Sequence, residues 1–285
     1  ENNPMEEELK KEDVILPSVE PVPENLCGWI DIINKGCDLF NGDVIIYESK
    51  EWFEKTQHEL FQNYWSRFFD LIKIIYIDSR KCNFHDDFIK ENYDENHKVG
   101  ILFKLYNINN REIIFLIDLL KEPATDEYKK QLAIRYPNSE QISLDSLICK
   151  ARRGFPYFLL SDENIWKEAM KEKKANLALS VEEEQLLKDA QCPLFINGRA
   201  GSGKSTIMHY LFSQYCHAKL EKPNQCDGDP IFLTYSKNLL DEAKRVVSSI
   251  IRFNPSFALD IQNVSLTPYF KTFQEFVKSF LPEED

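Results

Sequence analysis

The segment around residues 194–212 constrains this chain more strongly than any other part of its sequence. Residues 198–205 read Gly-Arg-Ala-Gly-Ser-Gly-Lys-Ser and match the pattern G-x-x-x-x-G-K-[ST], with short apolar runs on both sides. Glycines let the backbone curl around an anion without Cβ clashes, and the free N–H groups of a following helix attract phosphate. The pattern therefore predicts a strand near 193–197, then a phosphate-binding loop, then an α-helix.

The residue types in this loop suit the binding of a nucleoside triphosphate. The Lys204 ammonium would neutralise the β- and γ-phosphates, so Lys204 is the predicted catalytic residue. The Ser205 hydroxyl would complete the coordination shell of Mg²⁺, which prefers oxygen ligands. A chance glycine-rich turn is the alternative, and the three glycines, the Lys-Ser pair and the strand–helix frame argue against it. The predicted binding residues are Gly198, Arg199, Ala200, Gly201, Ser202, Gly203, Lys204, Ser205 and Thr206.

Two later segments extend the pattern. Residues 230–243 begin with a short apolar run, continue with Thr-Tyr-Ser-Lys and then show apolar residues at helical spacing. Residues 271–276 read Lys-Thr-Phe-Gln-Glu-Phe. In order and spacing, these segments and the loop resemble three motifs of the UvrD/Rep branch of superfamily 1 DNA helicases: the first motif, motif Ia and the Thr-Phe-His-x-Phe segment. The resemblance covers about residues 176–285. It implies an α/β P-loop (RecA-like) domain with a parallel sheet, and ATP with Mg²⁺ as cofactors.

The resemblance also implies an activity and a partner. Helicases of this type couple ATP hydrolysis to movement on single-stranded DNA, with RNA as an alternative partner. Their motif Ia and Thr-Phe segment line the channel for the strand. Hydroxyls and a Lys suit phosphate, and aromatic rings stack on bases at ~1–3 kcal/mol each. A buried strand end and helical core spacing would explain the same residues without nucleic acid. The implied strand contacts are Thr234, Tyr235, Ser236, Lys237, Thr272 and Phe273.

The segment upstream of the loop resembles the adenine-reading Q motif of the same family. Residues 179–185 read Leu-Ser-Val-Glu-Glu-Glu-Gln, and Gln185 is the implied contact to the base. The Gln lies further from the Leu-Ser pair than in the family pattern. Ser180 and Glu183 also form the S-x-x-E pattern of a helix capping box, which explains the segment without a ligand.

Other motifs of the family do not follow within the sequence. No apolar strand ending in Asp-Glu comes after Lys204, and Asp241-Glu242 falls inside the helix predicted for motif Ia. Because phosphoryl transfer needs such acidic groups and later arginines, we expect this chain to be the N-terminal part of a larger protein, with negligible ATPase activity alone. A regulatory NTPase, in which nucleotide switches a partner-binding surface, is an alternative.

Length and charge divide the chain into three predicted parts. A length of 285 residues suggests about two domains. Residues 1–24 hold two Lys against eight Asp and Glu, a net charge of 2 − 8 = −6, with four prolines, which predicts a flexible acidic tail. We assign residues 25–175 to an α+β accessory domain and 176–285 to the P-loop domain. The net charge of −12 argues against a basic-coated nucleic-acid protein but not against a local basic site.

The accessory domain has helical and hairpin patterns. Apolar residues recur at helical spacing between Trp52 and Ile77, which predicts one or two helices. The β-rich runs 99–106 and 112–118 flank an Asn-containing turn and predict an antiparallel hairpin. Further helices are expected near 124–135, 141–151 and 162–174. A β-run at 43–47 followed by helices and this hairpin resembles the small RelE/ParE-like toxin fold, so a toxin-like nuclease or a protein-binding module is a second alternative function.

The remaining patterns concern metals, membranes and compartment. The seven cysteines are irregularly spaced with no CxxC pair, and the five histidines form no HxxxH pattern, so no metal site made of protein ligands alone is expected. Buried thiols in a reducing compartment would explain this irregular spacing of cysteines, which favours a cytoplasmic protein. No apolar run approaches the ~20 residues of a membrane span, so no membrane partner is expected.

Overall fold

The structure covers most of the chain from residue 44 to residue 280. The computed structural model describes residues 44–81, 88–156, 160, 162–173, 177–190, 194–224, 228–253 and 265–280. The acidic tail predicted for residues 1–24 lies outside the described residues. Across the described part, no helix is both long and apolar enough to cross a membrane.

A five-stranded mixed sheet organises the first half of the chain. Its order is β2-β3-β4-β1-β5, with β1 parallel to β4 and the other neighbours antiparallel. The predicted hairpin is confirmed as β3 and β4, and its two turn residues, Asn109 and Asn110, have positive φ angles of 54° and 61°. The strands are β1 Ile45–Ser49, β2 Lys90–Asp94, β3 Val99–Ile108, β4 Arg111–Leu120 and β5 Ala151–Pro156.

Helices connect and cover these strands. Three helices, rather than one or two, occupy the predicted region between Trp52 and Ile77. The helix expected at 141–151 is shorter, because residues from Ala151 onward pair with β1 as strand β5. The helices are α1 Lys50–Thr56, α2 Glu59–Gln62, α3 Trp65–Lys81, α4 Asp126–Arg135, α5 Leu144–Ile148 and α6 Glu163–Lys171.

Both faces of the five-stranded sheet are buried. Alternate strand residues point to opposite faces, so Ile46 and Leu116 join one apolar cluster while Tyr47 and Phe115 join another. The first cluster contains residues of α1, α3 and α6, and the second contains residues of α4 and α5. The sheet therefore lies between two helical layers.

A buried ion pair crosses this core. Arg153 of β5 donates to Glu48 of β1 from Nε at 2.7 Å and from Nη2 at 2.6 Å, and both side chains are 1% exposed. Trp52 donates to the other oxygen of Glu48 at 3.2 Å, and Arg153 also donates to the carbonyls of Met170 and Glu172. The pair is thus satisfied by hydrogen bonds and links β1, β5 and the end of α6.

The second half of the chain forms a smaller α/β unit. Strands β6 (Phe232–Thr234) and β7 (Phe270–Thr272) are parallel, with Phe232 opposite Phe270 and Thr234 opposite Thr272. The rings of Phe212, Phe232 and Phe270 pack together at centroid distances of 5.3–5.7 Å. The helices are α7 Val181–Asp189, α8 Lys204–Glu221, α9 Lys237–Phe253 and α10 Phe273–Lys278.

The predicted parallel sheet is thus formed only in part. The expected strand near 193–197 is wrong for residues 194–197, which have irregular structure, and Phe195 is 94% exposed. An extended segment becomes a strand only when a neighbour completes its hydrogen bonds, and no described strand lies beside this one. The strand expected at 264–267 is instead β7, after a 3₁₀ turn at Thr267–Tyr269. The chain is a mixed α/β protein.

Candidate nucleotide site

Two glycines bend the loop between residue 197 and helix α8. Gly201 and Gly203 have φ angles of +79° and +78°, in the left-handed region that other residues adopt only with strain. Gly203 is also the residue before the first turn of α8, and the N–H of Ser202 donates to the Arg199 carbonyl at 3.3 Å. The sequence therefore places glycine where the backbone requires it.

The other glycine constraint is close packing. A Cβ on Gly198 would lie 2.6 Å from Ser202 Oγ, and a Cβ on Gly203 would lie 2.5 Å from Glu183 Oε1. The N–H of Gly198 donates to Asn197 Oδ1 at 2.8 Å, which steadies the start of the loop. A side chain at Gly198 would therefore meet the loop itself, and a side chain at Gly203 would meet helix α7, so both positions require glycine.

Lys204 reaches back over this loop. Its ammonium donates to the carbonyls of Gly198 at 2.7 Å and Arg199 at 2.6 Å, and lies 3.4 Å from Ser202 Oγ. One positive charge therefore lies at the mouth of the curve, on a half-buried side chain.

The start of helix α8 adds further donors. Its hydrogen-bonding pattern begins with the Ile207 N–H, which donates to the Gly203 carbonyl at 3.0 Å. The N–H groups of Lys204, Ser205 and Thr206 precede that bond and belong to the first turn, where the helix dipole favours an anion. Ser205 is exposed there, and so are Arg199 and Ala200 in the loop. The predicted binding residues therefore form one continuous turn of chain.

The segment before the loop forms the predicted capping box. Ser180 Oγ accepts from the Glu183 N–H at 3.1 Å, and Glu183 Oε2 accepts from the Ser180 N–H at 2.8 Å. Glu183 is also the residue whose carboxylate faces Gly203. Gln185 is exposed and donates to Asp189 one turn further along α7. The contact between α7 and the loop is therefore made by Glu183, and base recognition by Gln185 stays a prediction.

The residues implied as strand contacts lie together at the ends of β6 and β7. Thr234 and Thr272 are paired across the two strands, and the rings of Tyr235 and Phe273 lie 5.1 Å apart at 34°. Tyr235 is 85% exposed and Phe273 is 44% exposed. Ser236 and Lys237 follow directly, at the start of α9. The aromatic surface is therefore open at the carboxyl edge of the parallel strands.

One carboxylate lies close to this surface. Glu275 accepts from the N–H and the hydroxyl of Thr272, at 2.8 Å and 2.9 Å. These hydrogen bonds lower the pKa of Glu275, with smaller contributions from the positive charges of Lys237 and Lys271. The carboxylate closes the capping box of α10, so it has a structural role beside two lysines.

An ion pair joins the five-stranded sheet to helix α7. Arg111, the first residue of β4, donates to both oxygens of Glu184 at 3.1 Å and 2.6 Å, and the Glu184 side chain is 6% exposed. Burial raises the pKa of Tyr47 in β1, and the Glu184 charge adds to that shift. Burial also raises the pKa of Tyr210 in α8, which lies near Tyr47, Glu184 and Glu183. The contact was not predictable from spacing, because 73 residues separate Arg111 from Glu184.

Within the described part of the chain, acidic groups that could hold a metal do not gather near the loop. Asp241 and Glu242 lie inside α9, as expected from the sequence. Among the residues that the structure describes, no group of three or more His, Cys, Asp or Glu could hold a metal ion. Magnesium bound here would therefore depend on Ser205 and on the oxygens of the nucleotide itself.

Fold and site together define a mixed α/β protein with a glycine-rich loop directly before a long helix. Comparison of the chain with protein-family models, with curated proteins and with solved structures gives no match. Function is therefore inferred from the loop and the residues around it.

Proposed function

We propose that this chain binds ATP with Mg²⁺ through residues 198–206, as the ATP-binding part of an ATP-dependent DNA helicase or translocase of the UvrD/Rep type. The observation that carries the proposal is the position of Lys204. Its ammonium lies over a loop with two left-handed glycines, directly before the start of a helix. Charge, backbone donors and helix dipole then act on the same small volume, as phosphate binding requires.

Different groups of the loop would bind different parts of the triphosphate and its Mg²⁺. The Lys204 ammonium would move from the loop carbonyls to phosphate oxygens, which are stronger acceptors because they are charged. Backbone N–H groups of the first helical turn would donate to the same phosphates. Ser205 would provide one oxygen to Mg²⁺, and the ion would neutralise part of the phosphate charge. The RecA-like character of the domain is part of the proposal.

Binding of single-stranded DNA is supported by the surface at the ends of β6 and β7. Tyr235 and Phe273 present a tilted and exposed ring pair, and Lys237 follows Tyr235 by two residues. Rings of this kind stack on bases of any sequence, while a lysine and hydroxyls contact the backbone.

A regulatory NTPase is the second candidate, and the Arg111–Glu184 pair favours it. The hairpin of the first sheet contacts α7 through Glu184, and the adjacent residue Glu183 faces Gly203 of the loop. A change in the conformation of the loop on nucleotide binding would therefore alter the contact between α7 and the five-stranded sheet. Residues 25–175 would then be the part that contacts a protein partner.

Thermal protection tests the nucleotide half of the proposal. A ligand that binds only the folded state stabilises it by RT ln(1 + [L]/Kd), or about 2.7 kcal/mol at 100 times Kd. We expect the Tm of the chain to rise with Mg·ATP, and Lys204→Ala to remove the rise. Equal protection of the Lys222→Ala control is expected, because that exposed lysine lies at the far end of α8. Protection that persists in Lys204→Ala would contradict the assignment of the loop.

A further inference from the structure

A cavity of about 660 Å³ opens near the carboxyl ends of the parallel strands β1 and β4, away from the nucleotide loop. Such edges are where open α/β sheets commonly hold ligands, and the volume lies within the ~300–1,000 Å³ of small-molecule sites. Its lining combines charged, aromatic and aliphatic groups. The residues that matter for the chemistry are Lys55, His58, Phe61, Asp118, Lys121 and Tyr128.

A buried carboxylate organises the floor of this cavity. The Asp118 side chain is 6% exposed and accepts from Lys55 Nζ at 2.7 Å and from the Leu119 N–H at 2.8 Å. Its other oxygen accepts from the Tyr128 hydroxyl at 2.7 Å. Burial raises the pKa of Tyr128, and the hydrogen bond to Asp118 raises it further. Lys55 and Tyr128 are therefore held in fixed positions, because a buried carboxylate is stable only when its hydrogen bonds are satisfied.

The charges at the cavity favour an anion. An ammonium has three N–H donors, and among the described residues Lys55 uses two, for Asp118 and for the Leu119 carbonyl at 3.3 Å. Lys121 is exposed, and its ammonium lies 5.8 Å from the centroid of the Phe61 ring. Two lysines against one carboxylate give a local charge of 2 − 1 = +1, in a chain whose net charge is −12. The exposed His58 adds another donor.

The apolar part of the lining selects the rest of the ligand. The Phe61 ring and two leucines at the end of β4 line the same cavity as the cationic groups. These side chains are 2–7% exposed, so only their edges face the cavity, and an aromatic or aliphatic group would cover those edges where a hydrated inorganic ion would not. Charge-assisted hydrogen bonds to one end of a ligand and apolar contact at the other are the usual division in small-molecule sites.

We propose that this cavity binds a small organic anion, whose phosphate or carboxylate group accepts hydrogen bonds from Lys55, Lys121 and His58 while its apolar body lies against Phe61. This site is independent of the proposed nucleotide loop, because it uses different residues at the edge of the five-stranded sheet.

Isothermal titration of the whole chain with phenyl phosphate and, separately, with benzoate tests the proposal and tells the two head groups apart. We expect saturable binding of at least one probe. Lys121→Gln should weaken it about tenfold, the loss expected for one charge-assisted hydrogen bond. Lys121 is exposed, so this variant should keep its fold. Lys130→Gln on α4 is the matched control, since it removes an exposed lysine outside the cavity and should leave the dissociation constant unchanged.

A second variant separates this site from the nucleotide loop. Lys204→Ala should bind the probes as the unmodified chain does, whatever its effect on ATP. Three results would overturn the proposal: no saturable binding of either probe, equal dissociation constants in Lys121→Gln and the unmodified chain, or loss of binding in Lys204→Ala. The last result would assign the probe to the loop.

Discussion

Arg111 and Glu184 form a two-point ion pair that joins the five-stranded sheet to the helix preceding the glycine-rich loop. The guanidinium donates to both carboxylate oxygens, at 3.1 Å and 2.6 Å, with the carboxylate 6% exposed and the arginine side chain 25% exposed. Glu183, the next residue back along the chain, faces Gly203. The two halves of the chain are therefore coupled by adjacent residues of α7.

Removing this ion pair should cost measurable stability. Loss of one partner from a buried pair costs ~3–5 kcal/mol, and the partial exposure of Arg111 reduces the expected loss for Arg111→Ala to roughly 2–4 kcal/mol. Urea unfolding measures it. The matched control is Arg80→Ala, which removes the pair with Glu112, where the side chains are 53% and 33% exposed. That change should cost ~1 kcal/mol or less. Equal losses in the two variants would contradict the structural role of the Arg111 pair.

Gly203→Ala should damage the loop more than an ordinary glycine substitution. It combines a left-handed φ of +78° with a Cβ position 2.5 Å from Glu183 Oε1. Gly228→Ala is the control, because Gly228 has a similar φ of +73° and, among the residues that the structure describes, nothing within 4 Å of the added Cβ. The backbone strain of about 1–2 kcal/mol is common to both, and only Gly203→Ala should lose further stability in urea. Because Glu183→Ala also removes the capping box of α7, the Gly203→Ala loss is compared with and without Glu183→Ala. If the loss is the same in both backgrounds, the contact is not its cause.

Acid should unfold the chain partly through Asp94. Burial acts to raise the pKa of this carboxyl, but hydrogen bonds from the His97 side chain, the N–H groups of Asn96 and His97, and Arg67 outweigh it and lower the pKa to about 2. A carboxyl whose pKa is lower in the folded state stabilises the protein at pH values above the pKa of 3.8 that it has in the unfolded state. That stability is lost as the pH falls from about 4 to about 2.

The Tm as a function of pH measures this contribution. Asp94→Asn should have a lower Tm than the unmodified chain at neutral pH, and the difference should shrink as the pH falls through this window. A difference that stays constant down to pH 2 would show that the Asp94 charge contributes nothing.

Single-stranded DNA should bind through the exposed ring pair. Stacking on one aromatic side chain is worth ~1–3 kcal/mol per base, so Tyr235→Ala should weaken binding of a labelled oligonucleotide by roughly tenfold in fluorescence anisotropy. Phe88→Ala is the control, because Phe88 is 76% exposed but lies before β2 in the other half of the chain. Equal affinity of the two variants for DNA would contradict a contact between Tyr235 and the strand, and would favour the regulatory NTPase over the helicase.

Local patterns predicted much of this structure because they depend on neighbouring residues. The hairpin followed from two β-rich runs around Asn109 and Asn110, and the capping box followed from Ser180 and Glu183. The helix after Lys204 followed from the glycine-rich motif. In each case the interacting groups lie within a few residues of one another, so spacing alone carries the information.

Contacts between distant segments were not predictable in the same way. The strand expected at 193–197 needs a partner strand, and residues 194–197 have none beside them in the described part of the chain. Residues 151–156 joined β1 as a strand although the preceding pattern predicted a helix to 151. At the site, the loop residues were predicted from the motif. The contact of Glu183 with Gly203 could not be predicted, because it depends on how α7 packs against α8.

Isothermal titration with Mg·ATP tests the central claim most directly. The unmodified chain and Lys222→Ala should bind with the same dissociation constant. Lys204→Ala should bind at least tenfold more weakly, since it loses a charge-assisted hydrogen bond worth ~1.5–3 kcal/mol. Circular dichroism should show that both variants remain folded. Equal binding of Mg·ATP by all three proteins, or by none of them, would contradict the account of residues 198–206 as a nucleotide site.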